Sequence, residues 1–141
     1  MAINFFNADV NYTIKGKLKI KAWLISTAKN EGFTINSLNI ILCSDEYLFN
    51  LNKEFLNHIT YTDIITFDHG ERRNSLEGEL YISIERVREN ASNMGITIAN
   101  ELHRIMVHGL LHLCGYKDKS RSNKAIMTNK EDHYLSLRKF I

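Results

Sequence analysis

The 141-residue chain has no proline, only two cysteines and one tryptophan, and sets 18 basic against 16 acidic side chains for a formal charge of +2. With no proline-rich or low-complexity segment and no internal repeat, nothing marks a linker, and a single domain spanning residues 1–141 is expected. Cys43 and Cys114 lie far apart in apolar sequence, and two buried thiols in a reducing compartment are the default expectation. No run approaches the ~18 apolar residues of a membrane span. The opening Met1-Ala2-Ile3-Asn4-Phe5-Phe6-Asn7 also lacks the basic start and long apolar stretch of a signal peptide, so the expectation is a cytoplasmic protein without membrane contact. The nearly balanced charge does not by itself indicate nucleic acid; only local clustering could. A chain of this length can bury a core without a structural metal, so any bound metal is expected to be functional.

What is present is a patterned chain. Ile3 to Phe6 reads as a short edge strand, and Leu18, Ile20, Trp23, Leu24 and Ile25 recur through a helix that stops at Gly32. Ser37 to Cys43 reads as a strand, after which Ser44 or Asp45 can cap a helix carrying Tyr47, Leu48, Leu51 and Phe55. Asp63 to Phe67 and Gly78 to Ile84 look like two further strands around the polar loop Asp68 to Ser75. A helix from about Glu85 to Met94 stops at Gly95, and another has its body over Asn100 to Cys114. A last helix from about Ser122 to Leu137 is expected to bury Ile126, Leu135 and Leu137. Strands and helices alternate imperfectly, which predicts an α/β (α+β) fold with a small mixed sheet of about four strands packed with helices.

The most informative stretch is His108-Gly109-Leu110-Leu111-His112-Leu113-Cys114-Gly115-Tyr116-Lys117-Asp118. Residues four apart on a helix are neighbours on one face, so His108 and His112 can grip one ion. Gly115 is the residue type that ends a helix in the left-handed conformation, and the reversal there can bring Asp118 round to the same ion. Three protein ligands with an open fourth position is the pattern of a catalytic zinc site. The plainer reading is two core histidines on a buried helix, because Ile105, Met106, Val107, Leu110, Leu111 and Leu113 form the apolar face of any such helix. Cys114, two residues past His112, points to nearly the opposite side and is not expected to be a ligand.

His108-Gly109-x-Leu111-His112-Leu113-x-Gly115-Tyr116 resembles the H-G-x-L-H-L-x-G-Y-D-H motif of the YbeY endoribonucleases. Leu51-Asn52, Phe55 and Thr62-Asp63-Ile64-Ile65-Thr66-Phe67 look like that family's L-N-x-x-[YF]-R and T-[DN]-V-L-S-F segments, and Gly78-Glu79-Leu80 resembles its G-[DE]-I strand. The resemblance covers nearly the whole chain. It implies a metal-dependent endoribonuclease of ribosomal RNA maturation, at the small-subunit rRNA 3′ end, and of ribosome quality control. Its partners would be single-stranded RNA, ribosomal RNA and the ribosome, with no DNA expected. Two departures stand out. Lys117-Asp118 replaces the motif's Asp-His, so the third ligand is a carboxylate and a zinc centre would carry one positive charge fewer than with three imidazoles. Leu56 stands where the family has an arginine, leaving phosphate contacts to Arg72, Arg73 or a lysine elsewhere.

Lys117, Lys119, Arg121 and Lys124 flank the single acid Asp118 and could rim a backbone-binding surface, or simply form a solvated helix start. Lys15, Lys17, Lys19 and Lys21 spread round a helix and read as ordinary surface. His58, His69, His103 and His133 read as surface or capping histidines, with His69 the best placed for a substrate-facing loop beside Arg72 and Arg73. A zinc peptidase of metzincin type shares the ligand spacing, but it needs a general-base Glu directly after the first histidine, where this chain has Gly109. A non-catalytic ribosome-associated factor that uses metal to hold its fold is the third reading.

Overall fold

A computed structural model describes residues 2–58 and 60–140. Its elements run β1 (Ala2–Asn7), α1 (Lys17–Asn30), β2 (Thr34–Cys43), α2 (Asp45–Phe55), β3 (Ile64–Asp68), β4 (Ser75–Ser83), α3 (Ile84–Met94), α4 (Ile98–Leu113) and α5 (Arg121–Ser136). The four strands form one mixed sheet in the order β1-β2-β4-β3. β1 and β4 both run parallel to β2, whereas β3 folds back antiparallel on β4 through the turn that follows Asp68. β3 is therefore an edge strand.

The central strands are apolar on both faces because helices cover both. Ile40, Leu42, Leu80 and Ile82 are buried in the main core with Leu24 of α1 and Met106 and Leu110 of α4. Cys43, Leu48 and Ile65 form a smaller cluster on the α2 side. Two glycines let α4 lie close on the sheet. A Cβ on Gly109 would come within 2.8 Å of Ile64 and Leu80 side-chain atoms, and one on Gly78 within 2.7 Å of the Phe67 carbonyl oxygen and 3.0 Å of Leu113. Glycine is required there for backbone approach, which sets the depth at which the histidines of α4 sit.

The strand and helix types match the reading from sequence, with differences at the ends. β2 begins at Thr34, three residues before Ser37, and β4 begins at Ser75 and ends at Ser83, so Ile84 opens α3. The burial expected of the last helix needs correction: Ile126 and Leu137 are 48% and 46% exposed, and α5 buries Met127, Glu131 and Tyr134 instead. Those three lie at i, i+4 and i+7, a single helical face. The face includes a charged residue because a partner on α4 receives it, which the apolar pattern of α5 could not reveal.

Candidate metal centre

α4 starts cleanly, with Thr97 accepting a hydrogen bond from the Asn100 backbone at 3.0 Å, and it ends in a Schellman motif. The Tyr116 N–H donates to the Leu111 carbonyl at 3.1 Å and the Gly115 N–H to the His112 carbonyl at 3.0 Å, with Gly115 at φ 105°. The chain thus reverses within one turn of His112. The short connection to α5, whose first turn is capped by the Ser120 hydroxyl, returns Asp118 over the two histidines.

The result is a compact triangle. His108 Nε2 and His112 Nε2 are 3.1 Å apart, and each is 3.2 Å from Asp118 Oδ2. Ligands at ~2.0–2.1 Å from a tetrahedral ion stand roughly 3.3 Å from one another, so this triangle has the dimensions of three corners of a zinc-like site. The chemistry of the donors agrees. His112 Nδ1 lies 2.9 Å from the Tyr116 carbonyl oxygen, which can only accept, so that nitrogen carries the proton and Nε2 presents its lone pair. His108 Nδ1 lies 2.5 Å from Glu131 Oε2 and is oriented in the same way. Two imidazole lone pairs and a carboxylate oxygen converging at 3.1–3.2 Å repel one another unless a cation or proton lies between them. These residues fit a divalent metal.

A deeper layer holds the two rings. Glu131 is 4% exposed and is also 3.2 Å from Arg104, whose guanidinium makes two short bonds of 2.6 and 2.7 Å to the fully buried Glu101. Asn90 donates to Glu101 at 3.2 Å and to Asp63 at 3.4 Å. Burial alone would push His108 down, but the hydrogen bond to Glu131 and the charges of Glu131, Asp118 and Asp63 hold its pKa above the ordinary range. Burial raises Asp63, against the pull of His108 and Arg104. On the His112 side the Tyr116 hydroxyl donates to Glu31 Oε1 at 2.6 Å, fastening the residue whose carbonyl orients that ring. Tyr134 and Lys130 donate to the other oxygen of Glu31, and together these bonds overcome burial to lower its pKa.

The triangle opens into a cleft of about 520 Å³ whose other walls include Asn52 of α2 and its C-cap Leu56, His58, Asp63, Asp68 and Lys119. Leu56 faces the cleft, so the position of the family's arginine contributes no charge there. Of the basic cluster after α4, Lys119 reaches the lining. Arg72 and Arg73 are exposed on the β3–β4 turn, and Arg72 borders a separate depression with Asn36, Glu71, Ser75 and Glu77. His133 is exposed, as expected, but His103 is a correction: it is 6% exposed, packed against Trp23 and Phe140. Gly109 faces the sheet with no room for a side chain, so the base that a metzincin-type peptidase needs at that position cannot be housed. Glu131 was not legible as a partner of His108, and its only trace in the sequence is an acid on the Met127-Glu131-Tyr134 face.

A model of the endoribonuclease YbeY family matches residues 3–139. The chain belongs to the endoribonuclease YbeY family. It is 51% identical over 138 residues to an endoribonuclease YbeY of Cytophaga hutchinsonii, covering 98% of this chain and 96% of that one. It is 42% identical over 132 residues to the Flavobacterium psychrophilum protein of the same name, covering 94% of each. The solution structure of TM1509 from Thermotoga maritima superimposes with a TM-score of 0.65 at 28% identity, covering 96% of this chain and 87% of that one. In this member of the YbeY family, the three donors that converge are His108, His112 and Asp118. Among the described residues no helix is long and apolar enough to cross a membrane.

Proposed function

We propose that this protein is a zinc-dependent endoribonuclease that cuts single-stranded RNA in the cytoplasm, during maturation of the small-subunit rRNA 3′ end and in ribosome quality control. The observation that carries the reading is the convergence of His108 Nε2, His112 Nε2 and Asp118 Oδ2 at 3.1–3.2 Å in a cleft of about 520 Å³. His108, His112 and Asp118 would hold the metal, which would supply a Lewis acid for a phosphoryl oxygen. The chain's own residues do the rest. Glu131 and the Tyr116 carbonyl keep both Nδ1 protons in place and both Nε2 lone pairs aimed at one point. Lys119 offers a positive charge on the wall beside Asp118, where a phosphate of the strand would pass. Arg72 and Arg73 would meet the strand outside the cleft, on the turn that continues from Asp68. The acids Asp63 and Asp68 and the imidazole of His58 face the same space and are within the set that can accept or return a proton at a 2′-hydroxyl or a water.

The test is metal analysis of the purified protein paired with cleavage of single-stranded RNA with and without chelator. One zinc per chain and chelator-sensitive cleavage are expected. Stable metal content with no RNA cleavage, in a protein that associates with ribosomes, would instead favour the non-catalytic reading.

A further inference from the structure

On the other side of the wall formed by α2 and β3 lies a second depression, lined by Leu51, Phe55, Phe67, His69, Glu79 and Tyr81. Its rings are organised. Phe67 forms a floor with His69 parallel to it, 7° between planes and 6.4 Å between centroids. Phe55 and Tyr81 stand at right angles to that floor, at 87° and 6.2 Å and at 89° and 5.7 Å. Single exposed apolar residues are ordinary, but Phe55 is 62% exposed while belonging to this array. The volume is about 230 Å³, below the ~300–1,000 Å³ of pockets that enclose a whole ligand. It suits one planar ring inserted from a chain that stays outside.

Two observations say whose ring it is. The slot shares its wall with the metal cleft: along α2 and its C-cap, Asn52 and Leu56 line the cleft while Leu51 and Phe55 line the slot, and along β3 and the residue after it, Thr66 and Asp68 line the cleft while Phe67 and His69 line the slot. A strand lying in the cleft passes within one side-chain layer of the slot. The one carboxylate lining the slot is Glu79, paired with His69 at 3.0 Å. A carboxylate repels phosphate but accepts from the N–H groups of a base, so the slot selects bases over backbone.

We propose that Phe55, Phe67, His69 and Tyr81 form a base-stacking subsite for a nucleotide of single-stranded RNA flanking the one held at the metal. The inference rests on the ribonuclease reading above. Stacking needs an unpaired base, so the subsite makes the enzyme prefer single strands by geometry and tolerate many sequences, because every base has a flat face.

The experiment measures anisotropy of a labelled, cleavage-resistant 2′-O-methyl phosphorothioate hexanucleotide against the same backbone made abasic. The intact oligomer is expected to bind about ten-fold or more tightly than the abasic one. Phe55→Ala and His69→Ala, both at exposed positions whose folding a thermal melt checks, should shrink that ratio toward one, and Phe55→Trp should keep it. Equal, salt-sensitive binding of both oligomers to the unmodified protein would overturn the subsite while leaving the ribonuclease reading intact. A base-dependent ratio undiminished in both alanine variants would also overturn it, since the bases would then be held elsewhere. Failure to bind either oligomer at low salt would remove both proposals together.

Discussion

Two stretches of α4 carry the same residue type into opposite environments. His103, in the first half, packs edge-on against Trp23 and Phe140, and its Nδ1 accepts a hydrogen bond from Arg138 at 2.7 Å. Burial and the Arg138 charge hold it neutral and lower its pKa to about 4. His108, five residues on, faces Glu131, Asp118 and Asp63, and its pKa is raised in spite of burial. The residue type and the helix are the same, but five positions turn the two rings toward different neighbours. The sign of the neighbouring charges makes one histidine part of the core and the other a group that waits for a cation.

The comparison breaks first at the carboxylates. Asp118→Ala leaves two lone pairs without their third partner, and metal affinity should fall by more than the ~10–100-fold that follows loss of an outer partner. Elemental analysis after dialysis reads this, and unchanged metal content would remove Asp118 from the ligand set. Far-ultraviolet circular dichroism of the same variant should stay native, because Asp118 lies in the connection between helices and not in the core.

His103 tests the opposite side. Above its ordinary value of 6.5 the ring is neutral in folded and unfolded chains alike, and the stability associated with it is fully present. As pH falls from 6.5 through about 4, only the unfolded chain takes up the proton, and the protein should lose roughly 3 kcal/mol from this group. His103→Gln keeps an acceptor for Arg138 without titrating. Urea melts at several pH values should show a shallower loss over that window for the variant, and parallel curves would assign the acid sensitivity elsewhere.

Glu131→Gln keeps the shape of the α5 contact but removes its charge from both His108 and Arg104. Metal affinity should fall about 10–100-fold by calorimetry, less than for Asp118→Ala. A larger loss than that variant shows would make Glu131, rather than Asp118, the principal anion of the site.

The smallest effect belongs to the rim. Lys119→Ala should lower the slope of log affinity for single-stranded RNA against log salt by about 0.7, the share of one phosphate contact, without altering metal content. Charge reversal at Arg72 and Arg73 should also flatten it, if the strand extends over the β3–β4 turn. A slope indifferent to all three would leave the cleft without the backbone contacts assigned to it.

How much of this was legible follows from the range of each interaction. The His108-His112 pair, the stop at Gly115 and the return of Asp118 involve residues at most ten positions apart, and helical spacing with a left-handed stop is enough to bring them together. The strand and helix types were readable for the same reason, because periodicity and caps such as Ser44 and Ser83 act within a turn. The resemblance to a family added the RNA chemistry that local pattern alone leaves open. The burial of His103 was not readable, since the residues that bury it, Trp23 and Phe140, and its Arg138 partner come from other parts of the chain.

The sequence by itself therefore determined the three converging donors and the order of the elements, because both are encoded in short spacings. Only the tertiary structure decided which face α5 buries, bringing Glu131 across 23 residues to His108, and which walls enclose the metal cleft, with α2 and its C-cap supplying Asn52 and Leu56. Those choices depend on docking helices against a shared sheet, where Gly78 and Gly109 permit close approach and a buried acid is tolerated because Arg104 and His108 meet it. Charge complementarity of that kind exists only between surfaces already folded, and no periodicity along one strand or helix records it.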